Sequence, residues 1–272
     1  MVAQIFALVA RLSPDVKRSG WQVLYEYLAR KDRGADWAFM NYGFVNLDPQ
    51  AEPLVLHSSD ESDRFGIQLY HHVADAIDLR GLDVLEVGCG RGGGCSFIRR
   101  YLQPRSVVGV DLSGRAISLC NLHHAGPGLA FLRGDAESLP LEDGTFDVVV
   151  NVESSHCYGS VPRFLSEVRR VLRPGGFALF ADLRPTDEIA RLREHLQAST
   201  LQVLKEETIT PGVLAALDRD SERKRALVRR KAPWLIRGQI QEFAGLPGSS
   251  VYEDFRRGRA EYLRFVLRKA AD

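Results

Sequence analysis

The residues with the most chemical content form one run, Val84-Leu85-Glu86-Val87-Gly88-Cys89-Gly90-Arg91-Gly92-Gly93-Gly94, in which a β-branched stretch meets a cluster of glycines. Ser96-Phe97-Ile98 then begins a helix, so the glycines sit where backbone N–H groups at a helix N-terminus approach a ligand closely. That arrangement suits a nucleotide-like cofactor. Glu86 precedes the first glycine by two residues; it would face the negative pyrophosphate of a dinucleotide but would pair with a cationic amino-acid group, which favours a cofactor without phosphate. Asp111 ends the next run, Val108-Gly109-Val110-Asp111, 25 residues beyond Glu86 and near the offset at which a carboxylate accepts from ribose hydroxyls in this kind of fold. Asp135, in Arg133-Gly134-Asp135-Ala136, stands just before the run Phe146 to Asn151, where an acid and its adjacent backbone can hydrogen-bond an adenine ring. Three acids near three strand ends thus match three parts of one molecule.

A second group follows the run Val148-Val149-Val150-Asn151, at the sheet edge where ligands of open α/β folds bind. His156 has the chemistry of a base or of a group that holds an acceptor hydroxyl. Glu153, three residues earlier, either orients His156, faces a developing cation or caps the next helix, and Tyr158 shares both the functional and the structural reading. Gln68-Leu69-Tyr70-His71-His72 precedes the first run, so Tyr70 or His71 either lines the same pocket or belongs to a helix packed for structure alone. Trp37-Ala38-Phe39-Met40-Asn41-Tyr42-Gly43-Phe44 has neither clean alternation nor a helical period; it reads as a lid or docking element, or as a cap whose aromatics complete the core. Arg219 to Lys231 holds seven basic residues and reads as the solvated face of a helix, with a clamp for an anionic acceptor as the alternative.

Positioning these residues requires a sheet. The four runs at Val84–Val87, Val107–Val110, Val148–Asn151 and Phe177–Phe180 alternate with segments of helical period, which predicts a parallel sheet covered by helices. Leu201–Leu204 and Tyr262–Leu267 have strand character and predict a late pair closing one edge, with a helical stretch over 211–245 between them. The expected division is a helical and aromatic lid over 1–75 and a doubly wound α/β domain over 76–272. In the first part Ser13-Pro14-Asp15 starts a helix, and the apolar load of Ile5, Phe6, Leu8, Val9, Trp21, Leu24 and Leu28 predicts packing against a second copy of the chain.

Composition sets the bounds. Of 272 residues, 45% are hydrophobic and 26% charged, enough for one sizeable core and too apolar for disorder. A formal charge of +1 lacks the basic field of a non-specific nucleic-acid binder, so no nucleic-acid partner is expected. The apolar run Ile5 to Ala10 is far below the roughly 18 residues that cross a bilayer, so no membrane insertion is expected. Cys89, Cys95, Cys120 and Cys157 match neither a disulfide framework nor a zinc site, which predicts a reduced, cytoplasmic setting and no metal.

The run Glu86-Val87-Gly88-Cys89-Gly90-Arg91-Gly92, Asp111, Gly134-Asp135-Ala136, Phe146-Asp147-Val148-Val149 and Val171-Leu172-Arg173-Pro174-Gly175-Gly176, in this order, resemble class I S-adenosylmethionine-dependent methyltransferases over about residues 65–185. The resemblance implies a doubly wound, mostly parallel seven-stranded sheet, S-adenosyl-L-methionine as cofactor, S-adenosyl-L-homocysteine as its product, and binding through Glu86, Gly88, Gly90, Asp111, Leu112, Asp135, Ala136 and Asn151. Asn151-Val152-Glu153-Ser154-Ser155-His156-Cys157-Tyr158, Asn41-Tyr42-Gly43-Phe44 and Ala181-Asp182-Leu183-Arg184-Pro185 are similar to bacterial methyltransferases of lipophilic natural products: phthiotriol-type O-methyltransferases, sterol C-methyltransferases and the terpenoid C-methyltransferase of the teleocidin pathway. A small lipophilic acceptor follows, with His156, Glu153 and Tyr158 as catalytic candidates and Trp37, Tyr42, Phe44 and Tyr70 around it. Two reactions fit. His156 would take the proton of an alcohol that is methylated on oxygen, or Glu153 with Tyr42 and Phe44 would face the cation formed when a terpenoid double bond is methylated on carbon. The acid beside an aromatic lid tilts the expectation to carbon. A catalytically silent binding module of the same fold is the alternative class. An RNA or protein methyltransferase predicts an Asn-Pro-Pro-Tyr-like signature where this chain has Asn151-Val152-Glu153-Ser154.

Overall fold

A computed structural model of the chain describes residues 37–231 and 237–271. The expected N-terminal helix and the pairing of protomers through it lie outside the described residues.

The β-branched runs become central strands because both of their faces are covered. β1 (Asp83–Val87), β2 (Ser106–Asp111), β3 (Leu129–Arg133), β4 (Phe146–Val152), β5 (Leu172–Pro185), β6 (Gln202–Thr208) and β7 (Ala260–Arg268) form one sheet in the order β3-β2-β1-β4-β5-β7-β6. The first five pair in parallel, and β7 runs antiparallel to both β5 and β6. Neighbouring side chains on a strand enter opposite cores, as the two-residue period requires. Val84, Val148, Val150, Leu179 and Tyr262 point into one, while Leu85, Val149, Phe180, Leu263 and Phe265 point into the other.

The first core is closed by α1 (Arg64–Ala74), α2 (Gly93–Tyr101), α3 (Gly114–His123) and the later α6 (Thr210–Arg219) and α9 (Ser250–Arg256), through Ile67, Phe97, Ile117, Val213 and Phe255. The second is closed by α4 (Val161–Val171) and α5 (Ile189–Ala198), through Phe164, Val168, Leu192 and Leu196. Local signals set the helix starts: Ser113 accepts from the Ala116 N–H at 3.1 Å, and Ser160 accepts from Arg163 N–H with Pro162 in the first turn. The predicted helical stretch over 211–245 resolves into α6, α7 (Ser221–Lys231) and α8 (Arg237–Phe243) among the described residues. α1 buries Ile67, Leu69 and Val73 against the sheet.

The strand that the β-branched pattern does not mark is β3. Leu129-Ala130-Phe131-Leu132-Arg133 lies at the sheet edge, where only alternate residues are buried and a continuous apolar run is not needed. Residues 38–47 cross the carboxyl edge without regular structure, as the absence of any period in that segment suggests, held by Phe44 N–H to Phe65 carbonyl and Val45 N–H to Gly212 carbonyl, both at 3.0 Å.

Candidate active site

At the carboxyl end of β1 the chain turns through glycines into α2. A Cβ at Gly88, where φ is +75°, would lie 1.9 Å from Ser154 Oγ and 2.8 Å from Tyr158 Oη, and one at Gly94 would lie 2.1 Å from the Tyr70 ring. Only glycine permits the loop after β4 and the helix α1 to close on this turn. The closure leaves a cleft at the carboxyl edge of the sheet. Of the residues expected at the cofactor, Gly88, Gly90, Asp111, Leu112, Asp135 and Ala136 line it.

Sheet register aligns the acids. The Gly90 N–H donates to one Asp111 oxygen at 2.9 Å and the Ser113 N–H to the other at 2.8 Å, while Asp135 accepts from the Glu137 N–H at 3.0 Å. A carboxylate oxygen can accept more than one hydrogen bond, so Asp111 keeps capacity for hydroxyl donors from a ligand.

Glu86 and Asn151 are placed differently from the other expected cofactor residues. Glu86 is 1% exposed and lies one side chain behind the cleft wall, where the Tyr70 hydroxyl donates to it at 2.6 Å. Asn151 donates to the Val87 carbonyl at 2.8 Å and to Tyr158 Oη at 3.0 Å. Each retains one buried oxygen without a hydrogen-bond partner, Glu86 Oε2 and Asn151 Oδ1. Burial pushes the Glu86 carboxyl up to about 7. Two orphaned acceptors on neighbouring strands fit an ammonium group, and Asp111 and Asp135 fit a ribose and a base.

The opposite wall is built from segments remote in sequence. Glu153 follows β4 with φ +49°, an uncommon conformation for a residue with a side chain, and its carboxylate accepts from the Tyr42 N–H at 2.9 Å and the Tyr262 hydroxyl at 3.0 Å. Burial raises Glu153 to about 7. Tyr158 lines the cleft; burial raises its phenol pKa, so it acts as a neutral hydroxyl, bonded to Ser154 Oγ at 2.7 Å.

His156 lies beside the cleft rather than in its wall, between Ser155 and the wall residues Cys157 and Tyr158. Its Nδ1 is 2.8 Å from Asp182 Oδ1, and its backbone N–H donates to Asp182 Oδ2 at 2.8 Å. Asp182, fully buried within β5, also accepts from Ser155 Oγ at 2.6 Å and pairs with Arg184 at 3.1 Å. Burial pulls the His156 imidazolium pKa down, but its surroundings at Cys157 and Asp182 more than offset this and hold it up to about 10; Asp182 is held well below the carboxylate range despite its burial, by His156 and Arg184. In the sequence Asp182 stands out only within the run Ala181–Pro185 and carries no site role there, although an acid closing the apolar run Phe177-Ala178-Leu179-Phe180-Ala181 is the available signal.

The aromatic candidates divide. Tyr70 lines the cleft, as do Phe39, Met40 and Asn41. Tyr42 and Trp37 line a neighbouring cavity. Phe44 is removed from the pocket: it stacks on His72 with centroids 4.2 Å apart and packs on Gly212, so its area is spent on the core. His71 sits edge-on to Phe97.

Residues 85–180 match the family described as a methyltransferase domain. The chain is 41% identical over 264 residues to a phthiotriol/phenolphthiotriol dimycocerosates methyltransferase of Mycobacterium tuberculosis, covering 97% of each chain, and 39% identical to a fatty-acid O-methyltransferase of Mycolicibacterium smegmatis, covering 96% of this chain and 94% of that one. Among solved structures, geranyl diphosphate C-methyltransferase from Streptomyces coelicolor, in complex with Mg2+, geranyl diphosphate and S-adenosyl-L-homocysteine, superposes with a TM-score of 0.65 over 92% of this chain and 98% of that one, at 18% identity.

Proposed function

Because the chain belongs to the S-adenosylmethionine-dependent methyltransferases, we propose that it methylates an oxygen atom of a lipophilic acceptor. S-adenosylmethionine is the cofactor, and when bound it supplies a sulfonium-activated methyl group for in-line transfer. Glu86 and Asn151 would hold its amino-acid end, Asp111 its ribose and Asp135 its base. The remaining work is alignment, exclusion of water and removal of one proton.

The observation that carries the oxygen reading is the His156–Asp182 pair, with Nδ1 anchored at 2.8 Å on a buried carboxylate. This anchor fixes the ring orientation and strengthens the imidazole as a base for an acceptor hydroxyl. An alkene has no proton to lose before transfer; the cation it forms sheds one only afterwards, so a base poised for the transfer step itself suits a hydroxyl better. Glu153, the acid on which carbon methylation would depend, is raised to about 7 by burial, so part of it carries no charge to set against a cation at neutral pH. The two full-length relatives act on lipids by their names, whereas the terpenoid enzyme shares the fold at 18% identity. These points favour oxygen over the terpenoid carbon that the sequence reading preferred.

The test is incubation with methyl-labelled S-adenosylmethionine and a panel of long-chain alcohols, fatty acids and geranyl diphosphate, with the methyl position read by NMR. An O-methyl product is expected, and His156→Ala should lower its turnover by about 100-fold or more. A C-methyl product would reverse the assignment, and no S-adenosylhomocysteine with any acceptor would favour a silent binding module.

A further inference from the structure

A second cavity lies between residues 37–42 and α7 and shares Phe39, Met40 and Asn41 with the first. Much of its wall is apolar or aromatic, including Trp37, Leu227 and Phe243. Its two basic residues differ in what they have left to give. Arg223 donates to both oxygens of Asp220, at 2.6 and 2.7 Å, and to Asp63 at 3.3 Å, so its guanidinium is committed to protein carboxylates. Lys224 donates to the Tyr42 carbonyl at 3.2 Å and lies 5.9 Å from the Tyr42 ring centre, and among the described residues it forms no salt bridge. Burial lowers its pKa to about 8, which leaves it mostly charged at neutral pH.

Two carboxylates act on Lys224 from beyond salt-bridge distance, Asp220, which Arg223 occupies, and the buried Glu153. A half-buried ammonium with three donors and one carbonyl acceptor still bears a desolvation cost that an anion in direct contact would offset. The first cavity has the opposite character, since Asp111, Asp135, Glu137 and Glu153 line it against Arg91 alone. A carboxylate is therefore disfavoured at the methyl-transfer end and favoured at Lys224. Resting on the oxygen-methylation reading, we propose that Lys224 binds the carboxylate of a long-chain acid in the second cavity, so that the acceptor is held by its anionic end while the oxygen to be methylated lies beyond Phe39 and Met40.

The test measures binding without turnover, so a failure of the methylation reading leaves it interpretable. Calorimetry compares dodecanoate with dodecan-1-ol on the whole chain, for the wild type, Lys224→Met and Lys224→Arg, each checked by thermal unfolding. Lys224→Met should weaken dodecanoate by about tenfold or more and leave dodecan-1-ol within about twofold, while Lys224→Arg retains the preference for the acid. Unchanged acid binding, equal losses for acid and alcohol, or no dodecanoate binding by the wild type would overturn the proposal.

Discussion

The two walls of the active-site cleft are held by different means. The wall at β1, β2 and β3 is an outgrowth of the sheet: parallel register sets Val87 beside Val110 and Asp111 beside Arg133, and the glycine turn and the acids follow within a few residues. The facing wall is assembled across the sequence. The Tyr42 N–H reaches Glu153, the Tyr262 hydroxyl meets the same carboxylate, and the Lys224 ammonium meets the Tyr42 carbonyl. Backbone hydrogen bonds of the sheet fix the first, whereas single side-chain contacts fix the second. Substitutions on the first wall should therefore affect every acceptor alike, and those on the second should act on particular acceptors or steps.

The largest effect belongs to the sheet wall. Gly88→Val places carbon where Ser154 Oγ and Tyr158 Oη now sit and forces a β-branched residue into φ +75°. Binding of S-adenosylhomocysteine measured by calorimetry should fall by roughly 100-fold or more, and turnover should be lost for all acceptors equally. Retained activity with some acceptors but not others would break the comparison.

Asp182→Asn should give a smaller and more specific loss. The wild-type imidazole, held up to about 10, is active as a base only when deprotonated, so turnover should rise with pH from 7 toward 10. Asparagine removes the charge that supports the imidazolium. The pH profile should then shift to lower pH and the maximal rate should drop by about 10- to 100-fold, with S-adenosylhomocysteine affinity nearly unchanged. A profile flat from pH 7 to 9 in the wild type would exclude His156 as the base.

The same contrast explains what could be read from the sequence. Gly88, Gly90, Asp111 and Asp135 are legible because short loops at strand ends place them whatever the rest of the chain does. Phe44 and Tyr42 are neighbours in one aromatic segment, yet one enters the core against His72 and the other lines a cavity, a choice made by α6 and α7 and absent from local pattern. Asp182 needed knowledge that β4 and β5 are adjacent, with Val152 beside Ala181, before it could be joined to His156. β3 is hidden by its edge position, and the N-terminal helix lies outside the described residues.

The smallest effect separates the two walls by their buried acids, Glu86 just behind the sheet wall and Glu153 in the facing one. Burial raises both Glu86 and Glu153 from about 4.5 to about 7. Between those values the folded chain holds protons that the unfolded chain has released, so stability falls as pH rises through that window, by up to about 3 kcal/mol for each group. The imidazolium of His156 acts later, because a pKa raised above 6.5 adds stability that is complete below 6.5 and lost as pH climbs toward 10. In thermal unfolding from pH 5 to 7, His72, which burial lowers to about 4, adds stability as pH rises toward 6.5, so each acid is read as a difference between variants or ligand states. Glu153→Gln keeps a carbonyl for the Tyr42 and Tyr262 donors but cannot titrate, and should remove that acid's share of the decline. Saturating S-adenosylhomocysteine should remove the Glu86 share if its ammonium lies at Glu86, since a cation there stabilises the carboxylate and cancels the effect of burial. Additive losses of slope would assign one acid to each wall, and a ligand that flattens the Glu153→Gln variant no further would take Glu86 out of cofactor binding.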